Sequence, residues 1–434
     1  MVNFLKSNYK IETILIVSLP FLMIISRFFL EFFLLIISAS FLFKIIKTKV
    51  YTIFNNYFLI YFFCFYCLLL LSFSFSEEKL NILSILLYFR FGLYTLAIYY
   101  FLKSDKYIIK FFLYSVLIAV LILFFDSLTQ YLFGQNLIGL KNFETHRITS
   151  FFGDEQILGS YVLRLFPFLF ILKYMSEENS KIMNYLNLLA ILAVPVIIFL
   201  SGERVAMVLF FLTICYYLIF FARSKKFKFI YLYTVFLILG TVSFLYSSNI
   251  YYERYINSTY QSIFNKSFSQ NKFFLPDEYQ KNNFYFLSAQ HQNFIYTGMN
   301  IFKKNKFLGT GPKSYRYVCK NKDYAVNKLS CNTHPHNYYL QILIETGMLG
   351  FIFLILIYLY IIYRSCLNFI KLLKNQYFDL SEVIILSFYF VQLWPIMQHG
   401  NIFNNWNSIT LFLPMAFFLY LKKREDGIKS GSSK

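Results

Sequence analysis

Apolar residues fall in twelve long runs, near 11–27, 29–46, 53–73, 81–102, 109–127, 156–174, 185–201, 203–222, 229–247, 338–362, 381–397 and 407–422. A helix of ~20 apolar residues crosses a bilayer, because each backbone N–H then finds its partner within its own segment. The pattern predicts an all-α integral membrane protein of about 12 transmembrane helices. One long polar stretch breaks the rhythm, between the ninth and tenth runs. The chain therefore divides into helices 1–9 over 1–247, a large loop over 248–337, helices 10–12 over 338–422 and a tail over 423–434. Within the loop, Ser288 to Phe302 has the spacing of an amphipathic helix that ends at Asn305. The turn Leu308-Gly309-Thr310-Gly311-Pro312 comes next. The two halves show no internal repeat, which counts against the twofold symmetry usual in secondary transporters.

The 434 residues are 58% hydrophobic and 14% charged, where soluble globular domains are about a quarter charged. No small-residue cleavage site follows the first run, so it reads as a retained helix. A net charge of +20 raises nucleic acid as a partner, but the placement of the charge argues for lipid instead. Lys and Arg gather in short loops at Lys44/Lys47/Lys49, Lys103/Lys106, Arg223/Lys225/Lys226/Lys228 and Lys422/Lys423/Arg424. With twelve spans all four clusters share one side with both termini, which the positive-inside rule makes cytoplasmic. The loop 248–337 is then periplasmic. It carries 12 Lys and Arg against 4 Asp and Glu, a basic surface on the outer face that suits an anionic partner. Cys64, Cys67, Cys215 and Cys366 lie in or beside apolar runs, whereas Cys319 and Cys331 lie in the loop and can pair in an oxidising compartment.

Candidate chemistry is densest where the loop meets the tenth run. His334 reads as an N-cap and Pro335 as the first helical residue. From there His336, Leu340, Leu343, Gly347 and Gly350 recur at steps of 4, 3, 4 and 3, on one helical face. The glycines would admit a neighbouring helix, with His336 at the mouth of the seam. The positive end of the helix dipole favours a neutral His336 able to accept a proton; a histidine there can equally be a cap or a headgroup contact. Arg204 sits in the tight turn Ser201-Gly202-Glu203-Arg204-Val205-Ala206 between two spans, and Arg316 comes after the Gly309/Gly311 turn. Arg147 precedes Gly153-Asp154-Glu155. Arg164 lies inside the sixth run and needs a partner, for which Asp154, Glu155 and Glu345 are the candidates. Arg90 is a further intramembrane charge. Guanidinium forks bind phosphate oxygens in pairs. Neither His291 nor the pair His334 and His336 has carboxylates or thiolates at metal-ligand spacing, so no metal and no cofactor is expected.

His336-Asn337, nine residues, then Gly347-x-x-Gly350 resembles the signature of the bacterial O-antigen ligase and polymerase family. So do the Gly309-x-Gly311…Tyr315-Arg316 segment (with Tyr in place of the family's Phe), the turn at Arg204, the block from Arg147 to Glu155, and Trp394 to Trp406. The resemblance covers most of the chain beyond about residue 85. It implies a GT-C-like, inverting, metal-independent glycosyltransferase of the bacterial inner membrane with its site facing the periplasm. The donor would be a glycan on undecaprenyl diphosphate and the acceptor a lipid A-core sugar, with membrane lipid around it and no nucleic acid. His336 would be the base, and Arg147, Arg204 and Arg316 would hold the diphosphate. Asn337, His291, Asp154, Glu155 and Arg164 would support the site or face the acceptor. Gly347, Gly350, Cys319 and Cys331 would be structural. A polymerase joining carrier-linked repeat units is the alternative within the family, and a polysaccharide exporter the alternative outside it.

Overall fold

A computed structural model describes residues 10–76, 82–105, 107–142, 144, 146–176, 178, 180–221, 229–264, 285, 287–327 and 330–431. Lys106, the basic cluster 223–228 and loop residues 265–284 lie outside the described residues. The molecule is helical. The helices are α1 (Ile11–Val17), α2 (Leu19–Ile25), α3 (Arg27–Thr48), α4 (Tyr57–Ser74), α5 (Ile82–Leu86), α6 (Arg90–Ser104), α7 (Tyr107–Phe133), α8 (Leu158–Ser176) and α9 (Lys181–Leu200). Then come α10 (Arg204–Phe221), α11 (Phe229–Ser247), α12 (Asn249–Tyr252), α13 (Ser258–Phe264), α14 (Ala289–Lys304), α15 (Tyr315–Val318), α16 (Tyr338–Leu373), α17 (Leu380–Gln392) and α18 (Asn405–Gly431).

Among the described residues eight helices are long and apolar enough to cross a membrane, or nine if the pair Tyr233–Ser247 and Asn249–Phe264, bent by 105°, is one span. The expected first span is broken at Ser18, just before Pro20, into two seven-residue helices. Helix α17 is apolar but has 13 residues. Helix α18 runs on to Gly431, so residues 423–431 of the expected tail continue it. Side-chain caps start several helices. Asn56 accepts from Leu59 N (2.9 Å), Ser180 from Met183 N (3.3 Å) and Asp379 from Ser381 N (2.9 Å), each satisfying an otherwise orphan amide. The amphipathic helix of the loop is α14, with Ser288 capping its start and Asn305 at its end.

Packing is largely aromatic. Phe62, Tyr88, Phe91 and Phe412 interlock between α4, α6 and α18, with Phe62–Phe412 and Tyr88–Phe91 centroids 5.4 and 5.0 Å apart. Such edge-on pairs add about 0.5–1.5 kcal/mol each beyond burial. A share of the many Phe and Tyr residues thus serves packing between the helices. Short connections make neighbouring helices alternate in direction, so the ends of α4, α7, α9 and α17 meet the starts of α6, α8, α10, α16 and α18. Bonds across this end hold it together: Ile148 N to Leu200 O (3.1 Å), Arg90 to Asn405 (3.0 Å) and Asn337 to Pro395 O (2.8 Å).

Helix α16 is broken at Gly347 (φ 67°, ψ −163°), backbone that a side chain all but forbids. The break corrects the expected seam, and its backbone bonding shows what fills it. In an unbroken helix Met348 N and Leu349 N would donate to Ile344 O and Glu345 O. Here they donate to Lys306 O (2.8 Å) and Phe307 O (3.4 Å), while Ile344 O and Glu345 O accept from Thr310 N (3.0 Å) and Gly311 N (2.9 Å). Ser72 Oγ adds bonds to Leu308 O and Glu345 O. The loop segment 306–311, rather than a neighbouring helix, is inserted into α16. A Cβ on Gly347 would collide with Phe307 O, and one on Gly309 would stand 2.5 Å from Glu345 C. Gly350 has no such role: its Cβ would meet Thr346 Oγ1 of its own helix.

Candidate active site

The insertion delivers Lys313 and Arg316 to the end of the bundle. The fully buried Glu345 carboxylate accepts from Lys313 N (2.9 Å), Tyr315 N (3.1 Å) and Gln341 Nε2 (3.1 Å). It fixes the turn from which Arg316 projects, and it is not the partner of Arg164. Cys319 and Cys331 form a disulfide that closes the next loop, as expected from their placement. Around these elements lies a pocket of about 480 Å³, lined by Arg27, Ser160, Arg164, Lys313, Arg316 and His334, with the turn from Gly400 to Asn407 as the facing wall.

The structure corrects the entry to α16. Asn337, not His334, is the N-cap, accepting from Leu340 N (3.0 Å) and donating to Pro395 O and Met397 O. Asn is the stronger capping type, a signal readable from the sequence. His336 therefore precedes the helix with φ 56°, off the face that periodicity gave it. His334 lines the pocket, while His336 stands beside it with ring centroids 4.2 Å apart. His291, in the first turn of α14, is 5.9 Å beyond, and Phe294 stacks on His336 at 5.5 Å. The three imidazoles form a row.

Burial is the first cause that depresses their basicity. Desolvation first, then the neighbouring His336, hold His334 down at about 3 and His291 at about 4, with Arg204 also acting on His291. His336 is lowered by burial. Buried imidazoles of this kind are neutral at pH 7. Asn332 Oδ1 accepts from Thr333 N (2.7 Å), which orients its amide so that Nδ2 donates to His336 Nε2 (3.0 Å). The neutral ring then carries its proton on Nδ1. Asn332 was not picked out from the sequence. Neither was His399, whose ring stacks on Tyr338 at 4.3 Å and whose backbone N–H donates to His336 O (2.7 Å).

The arginines do not converge on one point. Arg147, Arg204 and Arg254 sit close enough to act on one another's charge. The loop carrying Arg147 packs on the turn at Gly202, where a Cβ would collide with His146 O. Arg204 donates to Thr259 (3.1 Å) and Arg254 to Gly202 O (3.1 Å), while Arg147 Nε is buried without a partner among the described residues. Arg254 was missed because it falls in an unremarkable polar stretch. Arg316 belongs to the pocket on the other side of the histidines, and its Nε is likewise buried and unpartnered. Arg164 takes none of its three expected carboxylates; it donates to Ser160 O (3.0 Å) and Asn407 (3.4 Å) and lies 5.0 Å over the Trp406 ring. Glu155 pairs with Arg27, and Asp154 is exposed. Glu203, given no role from the sequence, caps α8 through Gly159 N (2.6 Å) and Ser160.

Residues 188–355 match the family model described as O-antigen ligase. That stretch is similar to an O-antigen ligase domain. It runs from α9 into α16 and so takes in Arg204, Arg254, the histidine row, the inserted loop and the break at Gly347. No curated protein matches the chain. Members of the O-antigen ligase family are glycosyltransferase-like membrane enzymes, ligases or polymerases, which act on lipid-linked glycans. Arg147, Arg164 and the Asn401–Asn407 wall lie outside the matched O-antigen ligase domain and are joined to it only by the fold.

Proposed function

We propose that the protein is an O-antigen ligase that moves a glycan from undecaprenyl diphosphate to a lipid A-core sugar on the periplasmic side. The observation that supports this reading is a row of neutral imidazoles standing between two groups of cations, Arg147, Arg204 and Arg254 on one side and Arg164, Lys313 and Arg316 on the other, that form no ion pair among the described residues. Arg147, Arg204 and Arg254 hold the carrier diphosphate and stabilise the charge that develops on it as it leaves. An acceptor hydroxyl displaces the Asn332 amide from His336 Nε2 and gives its proton to that nitrogen. Its oxygen attacks the anomeric carbon, and the bond from that carbon to the diphosphate oxygen breaks. One displacement inverts the configuration and releases undecaprenyl diphosphate.

A deletion strain examined for surface and carrier-linked glycan tests the reading. Loss of a ligase leaves bare core with long chains still on the carrier. Core bearing a single repeat unit would mean a polymerase instead, and glycan retained on the cytoplasmic face would mean an exporter. At residue level, Arg204→Lys keeps the charge but loses the two-pronged geometry, so it is expected to impair transfer measured from a purified carrier-linked donor. Full activity at normal protein level would remove Arg204 from the donor site.

A further inference from the structure

Away from the pocket, one run of residues is shaped for a different contact. Asn249–Phe264 leaves α11 at a bend of 105° and comprises α12, a π-helical turn over Glu253–Asn257 and α13. Helix α11 is apolar and exposes Phe236, Leu239, Val242 and Tyr246, as a span does where it meets lipid. Tyr246, in its last turn, is 93% exposed, so apolar exposure runs up the span as far as the bend. A segment close to perpendicular to a span runs along the membrane surface.

The sides of this segment differ in character. Tyr252, Ile256 and Tyr260 recur every fourth residue and are exposed by 45, 44 and 62%. Phe264 continues the spacing, its ring 5.0 Å from that of Tyr260. A repeat of four drifts by ~40° per step around an α-helix of about 3.6 residues per turn. The π-helical turn is wider and takes part of that drift back, so the stripe stays on one side. Tyr251 and Tyr255 are buried on the next side, where their hydroxyls donate to Leu200 O (3.3 Å) and Phe199 O (2.8 Å) at the end of α9. Arg254 is two residues from both Tyr252 and Ile256 and so lies across the helix from them; it donates to Gly202 O (3.1 Å). Tyrosine, with an apolar body and a polar tip, is the residue type that settles at the level of lipid headgroups. An amphipathic helix of this kind lies in the interface with its apolar side in the boundary between headgroups and acyl chains. We propose that Asn249–Phe264 is an in-plane anchor that seats Tyr252, Ile256 and Tyr260 in that boundary of the bilayer. The anchor thereby holds Arg254, on its opposite side, at the membrane surface.

Tryptophan quenching in the full-length protein tests this, in nanodiscs of phosphatidylcholine brominated either near the carbonyl end or near the methyl end of its acyl chains. Ile256→Trp and Tyr260→Trp each add one indole, read as the increment over the emission of Trp394 and Trp406, the two native tryptophans. Ser262→Trp, two residues from both Tyr260 and Phe264 and so on the side of Arg254, is the control. The added emission at 256 and 260 is expected to fall at least twofold with the shallow bromines and less with the deep ones, and that at 262 to stay unchanged. Should Ser262→Trp fail to fold, the comparison of the two depths at 256 and 260 carries the test alone. Absence of quenching at 256 and 260 overturns the proposal, since the stripe would then be covered by residues 265–284 or by a second copy of the chain. Stronger quenching by the deep bromines also overturns it, because the segment would then dip into the bilayer as a re-entrant loop. Equal quenching at all three positions overturns it as well. No glycan transfer enters the readout, so a failure of the proposed function leaves this result standing.

Discussion

Whether His336 can act as a base depends on its protonation and on access to its lone pair. Burial keeps it neutral, and Asn332 covers Nε2 until a hydroxyl takes its place. His336→Ala is therefore expected to cost ~10²–10⁴ in transfer rate. His334→Ala should cost two hydrogen bonds, ~1–3 kcal/mol of stability, because Thr333 and the His399 carbonyl engage its two nitrogens. Equal losses in a transfer assay would refute the assignment. Acid stability offers a second check. His334 and His291 bind protons near 3 and 4 when folded and near 6.5 when unfolded. Below about 6.5 the unfolded chain takes up protons that the folded chain refuses, so stability falls as pH drops towards 4 and 3. The melting temperature in detergent should decline from pH 7 to 4, and His334→Gln should flatten that decline. A wild-type melt that does not vary over this range would show that these rings are not buried neutral.

At the scale of elements, features governed by local rules were legible in the sequence. Ser288, the spacing to Phe302 and the stop at Asn305 define α14 because caps and amphipathic periodicity are short-range. The identity of His336 and Gly347 as points of interest was also readable. Their geometry was not, because the break in α16 is imposed by a segment thirty or more residues earlier in the chain. Nothing within Tyr338–Leu373 tells that 306–311 will take over its hydrogen bonds. The pairing of Glu345 with the turn at Lys313, and of Arg164 with Trp406 instead of a carboxylate, are long-range for the same reason. Gly347→Ala is expected to be far worse than Gly350→Ala. The first adds about 1–3 kcal/mol of backbone strain and a clash with Phe307 O, and relief by closing the helix expels the loop that carries Arg316. The second meets a threonine side chain that can rotate. Thermal unfolding and transfer measured on both variants check this, and comparable behaviour would mean that the insertion is not what holds the site.

The whole molecule places every candidate residue at one end of the helices, and that end has a side. The opposite end gathers lysines at the close of α3 (Lys44, Lys47), α6 (Lys103) and α16 (Lys371) and at the start of α7 (Lys110). The positive-inside rule puts such an end in the cytoplasm, and the Cys319–Cys331 disulfide near the other end suits the oxidising periplasm. Both arguments would give the orientation proposed above, and reporter fusions test it. Alkaline phosphatase fused at Lys281, in the stretch outside the described residues, should be active, and the same reporter at Lys423 inactive. In unreduced cells Cys319 and Cys331 should resist alkylation, and Cys319→Ser should lower stability by roughly 3 kcal/mol on the loop-entropy model for a closed loop of this size. A silent reporter at Lys281 together with two free thiols would turn the pocket towards the cytoplasm. The acceptor would then have to be a cytoplasmic glycan, and the proposed transfer to lipid A-core on the outer face would fall with the topology.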